Sequence, residues 1–288
     1  MIRIEGLSYT YDDGTHALKR VDMDFNAGRS IGIIGANGSG KSTLLLAVMG
    51  VIKASSGRIT VQDELLKFGK KRLRQHRQHV NMVFQDPEKQ IFFSRIYDDV
   101  AFGLRNLDMD EKLIHKKVRS SLDKVDMTPL GNKPVHFLSY GQKKRVSIAG
   151  ILAMDPEVIL MDEPSSGLDP QMKESLKRII HTQSRDRRIV VSSHDMDFIY
   201  EVCDYIYVLS GGQVIGEGTP TKVFLDKGLL ERASLKMPWL AAIHAYLGFP
   251  LERSAKELFE NDRRSKNEEG NNIGQFWNDT SGYKRKDD

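Results

Sequence analysis

A single cysteine, Cys203, stands among 288 residues, so there is no internal disulfide framework and the chain suits a reducing compartment. No stretch approaches the roughly 20 consecutive apolar residues that span a bilayer. The opening residues, Met1-Ile2-Arg3-Ile4-Glu5, lack an apolar signal region and read as the start of a strand. A cytoplasmic chain is therefore expected. Charge is also not strongly one-sided: a net +4 gives little reason to expect nucleic acid. The one basic concentration, Lys67 to His79 with Lys70, Lys71, Arg72, Arg74 and Arg77, has no aromatic interleaved after Phe68. It reads as a solvated helix, with an acidic partner or a lipid surface as alternatives. Two further absences narrow the field. No heptad run occurs, and no guanine-reading Asn-Lys-x-Asp is obvious, since Asn132-Lys133-Pro134 ends in Val135.

What is present is organised around Gly35-Ala36-Asn37-Gly38-Ser39-Gly40-Lys41-Ser42-Thr43. The loop follows the apolar run Ser30–Ile34 and precedes the helix-forming Leu44-Leu45-Leu46-Ala47-Val48-Met49, so a buried strand turns through glycines into a helix. Glycines let successive N–H groups point inward, and the helix adds the positive end of its dipole; a polyphosphate is met by oriented donors. Lys41 can reach the outer phosphates, and the Ser42 hydroxyl can ligate Mg²⁺. Ahead of the loop, Ile2 and Ile4, then Leu18, Val21, Met23 and Phe25, alternate around the turn Asp12-Asp13-Gly14-Thr15 and predict a small antiparallel sheet. Tyr9 and Tyr11 stand at its edge, where an aromatic can stack on a base or simply pack.

Further polar groups fall at the ends of apolar strands, the edge where α/β sheets place their ligands. Gln85 follows Val80–Phe84. Asp162 and Glu163 follow Val158–Met161, and two acids there are costly unless they serve a cation and an attacking water. His194 follows Ile189–Val191 and either touches a phosphate or water, or is structural. Between them, residues 98–137 read as helical. Leu138-Ser139-Tyr140-Gly141-Gln142 opens a helix from Lys143 onward, a second helix N-terminus suited to an anion. A literal Leu209-Ser210-Gly211-Gly212-Gln213 sits between two strands with no helix after it, and reads as a hairpin turn.

Phosphate loop, Gln85, the Ser139-Tyr140-Gly141-Gln142 helix, Asp162-Glu163 and His194 follow one another in the order found in ATP-binding-cassette (ABC) ATPases, over roughly residues 1 to 228. The chain resembles that family. The resemblance implies an α/β P-loop NTPase fold with a RecA-like core, an N-terminal antiparallel β subdomain and an α-helical subdomain at about 86–150. A helical appendage is expected at 229–260, which either packs on its own domain or helps two subunits meet. A flexible tail would follow at 261–288, despite Phe276, Trp277 and Tyr283.

The family's roles then fall on matching residues. ATP and Mg²⁺ are implied, with Tyr11 on the adenine and Asn37, Gly38, Ser39, Gly40, Lys41, Ser42 and Thr43 on the phosphates. Ser42, Gln85 and Asp162 would serve the metal, and Glu163 and His194 the hydrolysis. Ser139, Gly141 and Gln142 resemble the signature that closes on ATP from a second ATPase subunit, identical or a sister chain, and Asp169 resembles the inter-subunit turn. Tyr140 departs from the glycine of the commonest signature.

The stretches Val83–Phe92, Asp98–Gly103 and Lys143–Gly150 look more specifically like the ATPases of energy-coupling-factor importers, above all the cobalt/nickel kind. There, two ATPase subunits drive a membrane coupling protein and a substrate-binding membrane protein, importing vitamins or metal ions. This implies a peripheral place on the cytoplasmic face of the membrane and no nucleic-acid partner. The rivals are a soluble ABC ATPase acting on DNA or ribosomes, whose known types usually carry paired cassettes or a long coiled coil, and the ATPase of another ABC transporter.

Overall fold

In the computed structural model, residues 1–131 and 133–260 are described; the expected tail at 261–288 lies outside them. The chain divides into two units, Met1–Pro238 and Trp239–Asp288.

The first unit begins with β1 (Ile2–Thr10) and β2 (His16–Asp24), antiparallel to one another. In β1, Ile2, Ile4 and Leu7 are buried while Arg3 and Glu5 face out, the period-two pattern of a sheet wetted on one side. Next come β3 (Ser30–Ile34), α1 (Lys41–Val48), β4 (Ser56–Val61) and the short β5 (Glu64–Leu65). The strands β2-β1-β4-β5 form the four-stranded antiparallel sheet that the sequence predicts.

After α2 (Lys70–His79) and β6 (Val80–Val83) comes the helical part: α3 (Ile96–Arg105), α4 (Glu111–Asp123) and α5 (Tyr140–Met154). Ile96, Val100 and Leu104 on α3, and Ile114, Val118 and Leu122 on α4, are buried at the spacing of one helical face. The chain then returns through β7 (Val158–Asp162), α6 (Pro170–Gln183), β8 (Arg188–Ser193), α7 (Met196–Val202), β9 (Tyr205–Ser210) and β10 (Gln213–Gly218). The second sheet has the order β10-β9-β3-β8-β7-β6, parallel except for β10. Every residue of β3, β6 and β7 is buried, as strands covered on both faces require.

The two sheets are tied by one side chain. The Tyr207 hydroxyl on β9 accepts from the Asp24 N–H at 3.0 Å and donates to the Asp24 carbonyl at 3.0 Å. Burial pushes the phenol up to about 12.

The helices α8 (Pro220–Leu225) and α9 (Lys227–Ala233) complete the first unit. Leu229 on α9 sits so close to β10 that a Cβ on Gly216 would meet it at 2.6 Å. The expected boundary at 228 therefore moves to Pro238, and α9 belongs with the ATPase-like unit. In the second unit, α10 (Trp239–Leu247) and a helix at 255–260 are present. The latter is started by a reciprocal cap: Glu257 Oε2 accepts from the Ser254 N–H, and Ser254 Oγ from the Glu257 N–H, the pattern Ser-x-x-Glu encodes. On α10, Leu240 is buried, while Tyr246 and Leu247 remain 68% exposed.

Replacing Tyr207 by Phe leaves the Asp24 N–H and carbonyl without their partner, and should cost about 1–3 kcal/mol. Urea denaturation of the two proteins measures it, and equal midpoints would count against the bridge.

Candidate active site

The parallel sheet decides which side chains meet. Its carboxyl edge carries, in the order β3, β8, β7, β6, the loop leading to Lys41, then His194, then Asp162-Glu163, then Gln85. Residues far apart in the chain thus stand in one row at the edge where open α/β sheets bind ligands. Tyr11, residues Asn37 to Thr43, Gln85, Glu163 and His194 line one cavity of about 390 Å³.

The loop's shape depends on glycine at two points. Gly40 has φ +104°, and a Cβ there would meet the Ala17 carbonyl at 2.5 Å; a Cβ on Gly35 would meet the Leu209 carbonyl at 2.2 Å. The second of these contacts is with the β9–β10 hairpin. Its turn, Gly211-Gly212, has positive φ at both residues, while Ser210 and Gln213 pair across it, as in a type I′ hairpin. The literal Leu-Ser-Gly-Gly-Gln is thus a turn, as the sequence predicts. It has a further role that the sequence reading missed: the Gly212 N–H donates to the Ser39 carbonyl at 3.1 Å, while the Gly212 carbonyl accepts from the Lys19 N–H at 2.8 Å. The hairpin braces the phosphate loop.

Lys41 is buried, its Nζ donating to the carbonyls of Gly35 at 2.8 Å and Ala36 at 3.1 Å, with Glu163 Oε1 at 3.8 Å. Burial pushes this ammonium below its usual range, against the pull of Glu163 and Asp162. Glu163 is itself only 6% exposed. Its φ is +44°, a left-handed conformation that costs a non-glycine residue about 1–3 kcal/mol and clusters at functional sites. That backbone is held by the Ser192 carbonyl and Oγ, both accepting from the Glu163 N–H at 3.0 and 3.2 Å. Oε2 accepts from His194 Nδ1 at 2.8 Å, and from the Ser193 hydroxyl and His194 N–H at 3.3 Å each. An ionised carboxylate only accepts, so Nδ1 carries the proton and Nε2 is the ring's other nitrogen.

Tyr11 stands at the cavity mouth, 40% exposed, edge-on to Tyr9, its hydroxyl 2.9 Å from Thr43 Oγ1. Asp162 lies behind the wall, with Oδ1 accepting from Ser192 Oγ at 2.5 Å. Ser42, Gln85 and Asp162 offer only oxygen donors of the hard kind. With phosphate oxygens they suit Mg²⁺, which is bound by few protein ligands plus substrate and water. Among the described residues no group of three or more His, Cys, Asp or Glu is placed to hold a metal.

Ser139, Gly141 and Gln142 do not reach this cavity. They form the N-terminus of α5, where Ser139 Oγ accepts from the Gln142 N–H at 3.3 Å and Gln142 Oε1 accepts from the Ser139 N–H at 3.0 Å. Asp169 caps α6, its Oδ1 accepting from the Met172 N–H at 2.8 Å. The sequence also passed over Lys144, whose side chain is 1% exposed. The row Lys144, Ile148, Ile151, all buried on α5, runs at helical i, i+4, i+7 spacing and would have shown it.

A second cavity, of about 770 Å³, opens between α2, β6, α3 and α5. Phe84, Phe92 and Phe102 line it, with Lys70, Lys71 and Arg77 from α2. Asp99 ties its wall, with Oδ1 accepting from the Phe92 and Phe93 N–H groups at 2.8 and 3.1 Å. Burial raises its carboxyl above the usual range, in part offset by those two bonds. Among the described residues no helix is long and apolar enough to cross a membrane.

Comparison with known proteins agrees with this geometry. The family model described as ABC transporter matches residues 18–166. The energy-coupling factor transporter ATP-binding protein EcfA of Methanothermobacter thermautotrophicus is 43% identical over 239 residues, 83% of this chain and 77% of that protein. The cobalt import ATP-binding protein CbiO of Salmonella paratyphi A is 40% identical over 263 residues, 90% of this chain and 96% of that protein. Among solved structures, CbiO1 of Clostridium perfringens, part of the ABC transporter complex CbiONQ, superposes with a TM-score of 0.73 at 38% identity, covering 84% of this chain and 97% of its own. The chain therefore belongs to the ABC transporter ATP-binding proteins, as an ATPase subunit of the energy-coupling-factor type.

Proposed function

We propose that this chain powers import of a metal ion of the cobalt or nickel kind, with a vitamin as the alternative cargo, from the cytoplasmic face of the membrane. The cargo reading is supported by likeness to a cobalt import protein over 90% of the chain. The observation that carries the mechanism is that Lys41, Glu163 and His194 share one cavity while the α5 N-terminus stands outside it. A second copy of the chain supplies its own Ser139, Gly141 and Gln142 to that cavity. A two-fold axis does this for both copies at once, because each surface presents the complementary motif to the other.

In this reading Lys41 exchanges partners. Its ammonium leaves Glu163 Oε1 for the outer phosphates of ATP, and Oε1 is then free to accept the proton of the attacking water. Oε2 stays fixed by His194 and Ser193, so the base keeps its aim. Nε2 of His194 accepts from a water at the terminal phosphate, and Tyr11 covers the adenine. Mg²⁺, held by Ser42 and Gln85 and through water by Asp162, would offset the phosphate charge. Bridging copies close on ATP and separate after hydrolysis. The aromatic cavity between α2 and α3 receives a helix of the membrane coupling protein and passes that motion on.

Mass spectrometry of what co-purifies with the tagged chain from gently solubilised host membranes tests the importer. A coupling protein and a small substrate-binding membrane protein are expected; ribosomes or DNA-repair proteins without a membrane partner would overturn it. Glu163→Gln should bind ATP yet hydrolyse it at least about 100-fold more slowly, and near-normal phosphate release would sink the base assignment. Lys41→Ala should weaken ATP binding about 10–100-fold, the value of a charge-assisted bond; unchanged affinity in a nucleotide titration would contradict its role. Phe92 is 74% exposed, and Phe92→Asp should lose the membrane partner in the same purification while Leu65→Ser keeps it. Equal recovery would remove the docking role of the cavity.

A further inference from the structure

Two side chains of the signature helix converge on one backbone atom of the strand-end glutamine. The Tyr140 hydroxyl donates to the Gln85 carbonyl at 3.2 Å, and the Lys144 ammonium donates to the same oxygen. One turn apart on α5, the two also face each other, with Lys144 Nζ 5.8 Å from the centre of the Tyr140 ring. The ring in turn lies against the turn after β7: a Cβ on Gly167 would meet Tyr140 Cε1 at 3.1 Å. Lys144 is almost wholly buried, and a buried ammonium is retained only where its surroundings compensate it. Here a carbonyl, a ring face and the nearby carboxylates of Asp86, Asp162 and Glu163 do so.

We infer that Tyr140 and Lys144 form a clamp that fixes the Gln85 backbone to the signature helix, so that this glutamine and the helix offered to the second copy move as one body. The inference rests on the reading of Gln85 as a ligand of the nucleotide-bound metal. A glycine at position 140 carries no hydroxyl and could not make this bond, which gives the departure from the commonest signature a physical purpose. Tyr140 and Lys144 are positioning residues. Neither lines the cavity, and both act through the carbonyl whose residue does. Rotation of α5 would thus draw Gln85 toward or away from the metal without any change in the phosphate loop, which hangs on separate contacts to Ala17, Leu209 and Gly212.

The test is Mn²⁺ affinity in the presence of a non-hydrolysable ATP analogue, read from the paramagnetic resonance of free Mn²⁺, with melting temperatures recorded alongside. Tyr140→Phe keeps the ring and removes one oxygen, and should weaken Mn²⁺ about fivefold, the worth of one hydrogen bond. Lys144→Met should do so more strongly. Once Gln85 is replaced by Ala, neither change should shift Mn²⁺ affinity further, because groups acting through one another are non-additive. Rescue is expected from Lys144→Arg, which keeps the charge and donors. Unchanged Mn²⁺ affinity in a folded Tyr140→Phe protein, or an equal shift with and without Gln85, would overturn the clamp alone. Failure of the wild-type chain to bind the analogue with Mn²⁺ would instead overturn the site reading beneath it.

Discussion

The structure depends most on how it houses the Glu163 side chain in a buried place. A buried carboxylate is stable only with compensation, and here the partners come from the ends of two other strands, β8 beside β7 and β3 one strand further on. The Lys41 ammonium stands on the β3 side, and the donors of Ser193 and His194 on the β8 side. The strand order β3-β8-β7 brings those groups to one carboxylate. The left-handed backbone at Glu163 is the strain that aims the acid, and the Ser192 contacts bear it. Chemistry and architecture meet at this residue: the group proposed to take a proton from water is also the one whose backbone is strained and held by Ser192.

Around that centre the fold uses backbone bonds rather than side-chain bulk to fix the phosphate loop. The β9–β10 hairpin reaches it through Gly212 and Leu209, and the same β9 strand is joined to the antiparallel sheet by Tyr207. The loop, the hairpin and the N-terminal sheet therefore form one rigid support. Helices α3, α4 and α5 are attached through a separate set of groups, among them Gln90, whose Oε1 accepts from the Phe84 N–H and whose Nε2 donates to the Ser147 carbonyl. That division suits a machine in which the nucleotide is held still while the signature helix moves.

Much of this was legible in the residues. Strand, glycine loop and helix announce the phosphate site because each element has its own local signal, and Gln85, Glu163 and His194 are visible as polar groups at the ends of apolar runs. The antiparallel sheet is likewise written in the alternation that places Ile2 and Ile4 on one face. What could not be read is what joins distant segments. The bond from Gly212 to Ser39 leaves no periodic trace, whereas the buried ammonium of Lys144 is marked by its helical spacing with Ile148 and Ile151. The boundary at Pro238 was hidden for a similar reason: α9 carries no sequence mark of its attachment, which lies in the fit of Leu229 over Gly216.

In the proposed mechanism two copies share each site, one giving Lys41 and Glu163 and the other the Ser139 helix end. Mixing two disabled variants tests it most directly. A Lys41→Ala chain keeps a sound signature and a Ser139→Arg chain keeps a sound phosphate loop, so each alone should be nearly inactive. In a random mixture half of the two-fold pairs carry both variants, each with one intact site of two, and about a quarter of the wild-type rate should return. A mixture no more active than its parts would contradict a site shared between copies.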